Sequence, residues 1–213
     1  MKEKILKTLN GRYSLEKRDM GALSHIHKGL YYFHCETYAI KDIGNLFFIE
    51  MKALFGLMKM ETMVLSPEYK DLSFCNLDTI NAMGNDTYLF EMYRSSLKDS
   101  DLSAYDKIRK DYACLPDYQT VPRWYDEYKL SSCLGKKGKK ISADGERMLE
   151  DCFRLYLDLL HKAENCDPQK KKAETAKYVD RLIKEGGAAI DSMNKIIGQD
   201  MTGELVRKFM YNI

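Results

Sequence analysis

The sequence has no C-x-x-C pair and no cysteine–histidine cluster. Its six cysteines (Cys35, Cys75, Cys114, Cys133, Cys152 and Cys166) are scattered along 213 residues, which argues against zinc and iron–sulfur ligation. No apolar stretch approaches the roughly 20 residues of a membrane span, and the opening MKEKILKTLNGRYSLEKRD holds no signal-peptide core. Free thiols in a reducing cytoplasm, with no membrane partner, are the simplest expectation. Charge of one sign is missing too: 34 basic and 32 acidic residues leave a net +2. Nothing global therefore points to nucleic acid, and any basic partner site is local. Phosphate loops of the G-x-x-x-x-G-K-[ST] type, G-x-G-x-x-G turns, H-E-x-x-H and G-x-S-x-G are all absent, leaving little support for an ATPase, a Rossmann dehydrogenase, a zincin or a serine hydrolase.

What remains is an ordinary globular composition, 45% hydrophobic and 31% charged, with no repeat, low-complexity tract or linker. One domain spanning 1–213 is expected. The first 20 residues show helical spacing at Ile5, Leu6, Leu9 and Tyr13. Residues 30–93 differ in texture: LYYFHCETYAI, LFFIEMKALF, LMKMETMVL, LSFCNLDTINAM and TYLFEMYR follow one another with short polar breaks. Links so short force antiparallel neighbours, and Gly84-Asn85-Asp86 reads as a hairpin turn. A sixth strand, YKLSSCL, is predicted at 128–134. Helices are predicted near 101–113, along the stripe Met148, Leu149, Cys152, Phe153, Tyr156, Leu159 and Leu160, across a long 169–197 segment, and from Asp200 or Thr202 to Tyr211. The fold class is therefore α/β, an antiparallel sheet of about six strands covered by helices.

The informative anomaly is acidic residues inside strand-like segments: Glu50, Glu61, Asp78 and Glu91. Each alone is explained by a solvated strand face. Several on adjacent central strands are not, because helices are expected on both faces, and a buried carboxyl with a raised pKa suits proton donation near neutral pH. Asp78, between Leu77 and Ile80, is the strongest candidate. Gly135-Lys136-Lys137-Gly138-Lys139-Lys140 is either a solvated loop or, through Lys136, Lys137, Lys139 and Lys140, a dock for an acidic protein. Trp124, the single tryptophan, serves either packing or stacking on a flat ligand.

From METMVLSPEYKDLSFCNLDTINAMGNDTYLFEMYRSS, through VPRWYDEYKLSSCL, to the ending KIIGQDMTGELVRKFMYNI, the chain resembles the ferredoxin-dependent bilin reductases. The likeness runs in consistent order from about Tyr31 to Ile213. It implies a three-layer α/β/α sandwich holding a linear tetrapyrrole such as biliverdin between the sheet and the C-terminal helices. It also implies an oxidoreductase with no tightly bound cofactor, ferredoxin as electron donor, and side chains as proton donors. Carried across, Asp78 matches the central aspartate and Glu50 an acidic residue on a neighbouring strand. The histidine that partners the aspartate falls on Glu61, and the polar residue of the long C-terminal helix falls on Gly186. The basic residue before the tryptophan falls on Gln119, with Arg123 as substitute. Asp78, Glu61 and Glu50 are thus expected to share one cavity, with Arg123, Trp124, Gly186 and Gly187 contacting substrate. Gly186-Gly187 either makes room for the ligand or breaks the helix. The departures leave open a second reading, a protein of the same fold that binds a flat ligand without reducing it.

Overall fold

A computed structural model of the chain describes residues 1–119 and 121–213. The predicted meander is present as β3 (Tyr31–Ile40), β4 (Gly44–Ala53), β5 (Met58–Pro67), β6 (Phe74–Ala82) and β7 (Asn85–Tyr93), each antiparallel to the next. Two further strands raise the expected six to eight. β1 (Leu15–Arg18) and β2 (His25–Lys28) share the outer edge of β3, pairing with Thr37–Ile40 and Tyr31–His34. At four residues each, and mostly exposed, they carry no apolar alternation that would reveal them. The leading helix α1 (Lys2–Asn10) accordingly stops short, burying Ile5 and Leu9.

The last strand is displaced from its expected place at 128–134. Residues Trp124–Tyr128 form a 3-10 turn, and β8 is Leu134–Gly138, paired with β7. The lysine-rich segment is therefore largely a strand rather than a loop, disguised by two glycines and two lysines.

Strand side chains alternate faces, and this divides the core in two. Phe48, Met63, Leu77, Phe90 and their neighbours pack with α1, α2 (Tyr105–Asp111) and α3 (Ser142–Lys162). Phe33, Phe47, Val64, Phe74 and Tyr93 pack on the other face with α4 (Pro168–Glu185), α5 (Ala188–Ile197) and the C-terminal helix. The α3 stripe is as predicted, with Met148, Cys152 and Tyr156 fully buried. The single helix predicted over 169–197 is two, because the chain turns at Gly186-Gly187. α6 (Gln199–Glu204) runs into a π-helical stretch, Leu205–Met210.

Candidate functional site

Asp78 shares its face of β6 with Phe74 and Asn76, so it points toward α4 and the C-terminal helix. Directly opposite on β5 stands Thr62, whose hydroxyl donates to Asp78 Oδ1. On β7 the same face carries Glu91, paired across from Asn76 and diagonal to Asp78. Central positions of this kind are normally sealed: on the α3 face, Met63, Leu77 and Phe90 are at most 1% exposed. On the α4 face, Met60, Thr62, Asn76, Asp78, Leu89 and Glu91 are only partly buried. The C-terminal helices therefore cover the middle of this face less completely than α3 covers the other.

Burial on this face pushes the Asp78 carboxyl up to about 7. The Thr62 hydrogen bond opposes the rise and the Glu91 charge adds to it. Asn76 Oδ1, on the same face of β6, is buried and without a hydrogen-bond partner, an acceptor left open. Tyr211, 1% exposed, packs edge-on to Phe74 at 5.0 Å. Its phenol pKa is raised, chiefly by burial, while Asn76 opposes the rise and the Asp78 and Glu91 charges add to it.

Glu91 is held differently. Lys129 Nζ reaches its Oε1 at 2.9 Å and Asp126 Oδ1 at 3.0 Å, and the Tyr93 hydroxyl donates to Oε2 at 2.7 Å. Burial would lower the Lys129 pKa, but Glu91 and Asp126 outweigh it and hold the ammonium above its usual range. Glu91 is thus held in an ion pair beside Asp78, whose carboxyl accepts from Thr62.

The other predicted acids are elsewhere. Glu61 shares a face with Met63, so it and its cross-strand partner Glu50 lie on the α3 side, opposite Asp78. The Met1 amino group is 3.3 Å from Glu61, and Lys2 is 3.4 Å from Glu50. The expected three-carboxylate cavity is thus corrected to Asp78 with Glu91. One residue of register separates Glu61 from Thr62, and in a strand one residue changes the face. A separate groove between α1 and α3, floored by Leu77 and Thr79, has Lys4 paired with Glu146 and Glu150. Its charges are spent largely on one another.

Arg123 is exposed, its backbone N–H donating to Asp126. Trp124 donates its indole N–H to the Gly186 carbonyl at 2.8 Å, and the Arg181 guanidinium lies over its ring at 4.7 Å. The tryptophan clamps the helix break. Gly186 has φ +76°, and a Cβ there would collide with Asp191 Oδ1; one on Gly187 would fall 3.3 Å from Tyr125. The glycines are explained by the break and by close packing, so the ligand-space explanation is not needed. Gly186→Ala is expected to cost about 2 kcal/mol, measured by denaturant unfolding. Of the four lysines, Lys136 is 3% exposed, bonded to the Leu115 carbonyl at 3.0 Å and Asp117 at 2.6 Å. It is unavailable for docking, while Lys137, Lys139 and Lys140 remain exposed.

No family model and no curated protein matches the chain. Among solved structures, phytochromobilin synthase from tomato in complex with biliverdin superposes with a TM-score of 0.76, covering 100% of this chain and 83% of that one at 13% identity. The chain has the fold of that synthase. At this identity the likeness is one of architecture, an antiparallel sheet carrying helices.

Proposed function

We propose that the chain binds a linear tetrapyrrole between the sheet and the C-terminal helices and reduces it. In this reading Asp78 supplies protons, and ferredoxin supplies electrons one at a time. The observation that carries the proposal is Asp78 itself, a desolvated carboxyl with its pKa at about 7, half of whose population holds a proton at neutral pH. Pyrrole N–H groups are donors and suit the unpartnered Asn76 Oδ1. Met60 and Leu89, half-buried on the same face, suit a flat apolar ring system. Each two-electron reduction consumes two electrons and two protons. Asp78 gives one proton, is left as a carboxylate stabilised by the Thr62 hydroxyl, and regains a proton from solvent. We place this activity in the cytoplasm, where unpaired thiols persist.

A second reading, binding without reduction, is favoured by one feature. Thr62 does not titrate in the relevant range and Glu91 is tied to Lys129, leaving one free acid where the reaction uses two protons. A visible absorption spectrum separates the readings. Mixing with biliverdin is expected to perturb the long-wavelength band, and adding reduced ferredoxin is expected to shift that band as conjugation shortens. No change on mixing would end the tetrapyrrole reading, whereas binding without a second change would leave the non-catalytic one.

A further inference from the structure

Three hairpins turn at one end of the sheet, and each presents apolar side chains to solvent. Register fixes their alignment: Lys28 pairs with Tyr31, Tyr31 with Ala53, Ala53 with Met58, Met58 with Ala82, and Ala82 with Asn85. At the tips, Leu30 is 50% exposed, Phe55 93%, Leu57 65% and Met83 82%. With strands about 4.8 Å apart, the three tips form a row roughly 20 Å long. Isolated exposed apolar residues need no explanation, but a row does.

The backbone adds a second anomaly. Leu54, Phe55 and Met83 all sit at positive φ, between 52° and 57°, where glycine or asparagine is usual. A tight turn built from Asn-Gly would avoid that strain and the exposed apolar area together. These side chains are exposed, so burial within the fold does not explain that backbone.

Charge supplies the third observation. Lys28, Lys52 and Lys59 are exposed on strand residues next to the tips. β8 ends at the same edge, since Gly138 pairs with Asp86, and this brings Lys139 and Lys140 alongside. The lysine segment conspicuous in the sequence thus joins the apolar row.

We propose that this end of the sheet docks on an anionic lipid surface, the tip side chains entering the headgroup boundary and the lysines meeting lipid phosphates. No helix among the described residues is long and apolar enough to cross a membrane; the contact is with a surface. A few separated, convex side chains are a poor match for a protein partner, since stable interfaces use about 20–30 residues a side. A bilayer accepts any arrangement that lies in a plane, and lysines beside the inserted groups strengthen attachment to anionic lipid.

The test is sedimentation with phosphatidylcholine vesicles and with mixed phosphatidylcholine–phosphatidylglycerol vesicles. Wild-type protein is expected to bind the mixed vesicles, less so as salt rises, and Phe55→Ser with Met83→Ser to reduce partitioning at least about tenfold. Phe55→Trp gives an independent readout: the emission it adds to that of Trp124 is expected to move to shorter wavelength with mixed vesicles only. Absence of binding at low salt, binding unaffected by the tip substitutions, or unchanged emission from the introduced indole would each overturn the proposal. So would vesicle-independent capture of an acidic protein such as ferredoxin that the same substitutions abolish.

Discussion

Asp78→Asn is expected to leave biliverdin affinity within a few-fold, cut its reduction by at least about 100-fold, and raise the melting temperature. The amide is nearly isosteric and still accepts the Thr62 hydroxyl, so this face of the sheet keeps its shape. It carries no exchangeable acidic proton. Stability moves the other way because the native carboxyl is desolvated. Its folded pKa of about 7 lies above the ordinary 3.8, so the folded state binds the extra proton between these values. Stability contributed by the neutral acid is full below 3.8 and is lost as pH rises through about 7. Above that, holding the carboxylate costs on the order of 1–3 kcal/mol after allowance for its partial exposure. At pH 8 the variant therefore gains several degrees, measured by calorimetry beside single-turnover absorbance. Retained reduction in the variant would remove Asp78 from the chemistry.

Proton donation also acquires a pH signature. Reduction is expected to hold level below about pH 7 and decline above it, following the Asp78 acid form. Glu91→Gln removes the neighbouring negative charge and leaves the Lys129 ammonium paired with Asp126 alone. Both changes favour the Asp78 carboxylate, so the decline should move to lower pH. Infrared titration of the carboxyl band reads the same shift without turnover. An unmoved profile would mean that Glu91 does not tune the acid.

These residues are unequally legible in the sequence. Gly84 announces the β6–β7 hairpin, but the turn is Met83-Gly84 rather than Gly84-Asn85-Asp86, and Ala82 pairs with Asn85, so the register that sets Glu91 diagonal to Asp78 comes from the structure. The β4–β5 turn gives no such help: Leu54 and Phe55 adopt left-handed backbone without the residues that normally announce it. Glu61 stands against β6 through a different link, the Glu68–Ser73 connection, whose register puts Thr62 and not Glu61 opposite Asp78; one residue is one face. β1 and β2 are hidden because pairing to the edge of β3, rather than their own pattern, makes them strands. At Gly186-Gly187 sequence allows both ligand space and a break; the φ of +76° and the approach of Asp191 decide for the break. The α3 helix is readable from periodicity, because its apolar stripe is the face that the fold buries, with Met148, Cys152 and Tyr156 at 0% exposure.

Asn45→Leu is expected to cost about 3 kcal/mol and lower the melting temperature by roughly 6–12 °C. Sequence offers no hint of this, since Asn45 stands at a strand start where asparagine is commonplace. In the fold it is 1% exposed and receives the end of the π-helical stretch. The Tyr211 N–H bonds back to the Val206 carbonyl at 3.1 Å, five residues away, and the wide turn directs the Phe209 and Met210 carbonyls at the sheet. Asn45 Nδ2 donates to both, at 2.8 and 2.9 Å, and Thr37 Oγ1 lies 3.1 Å from the first. Asn45 Oδ1 accepts from Arg18 and lies 3.0 Å from Thr37 Oγ1, whose single proton serves either it or the Phe209 carbonyl. Leucine fills the space but leaves two buried carbonyls and a half-buried guanidinium without those partners. Thr37→Val removes a smaller part of the network and should cost about 1 kcal/mol, so the difference isolates the amide. Because the same network seats Tyr211 against Phe74, Asn45→Leu should also admit water over Asp78. Its pKa then falls toward the ordinary carboxyl range, and reduction near pH 7 falls with it. A melting temperature within about 2 °C of wild type would mean that the C-terminal turn is held by apolar packing alone.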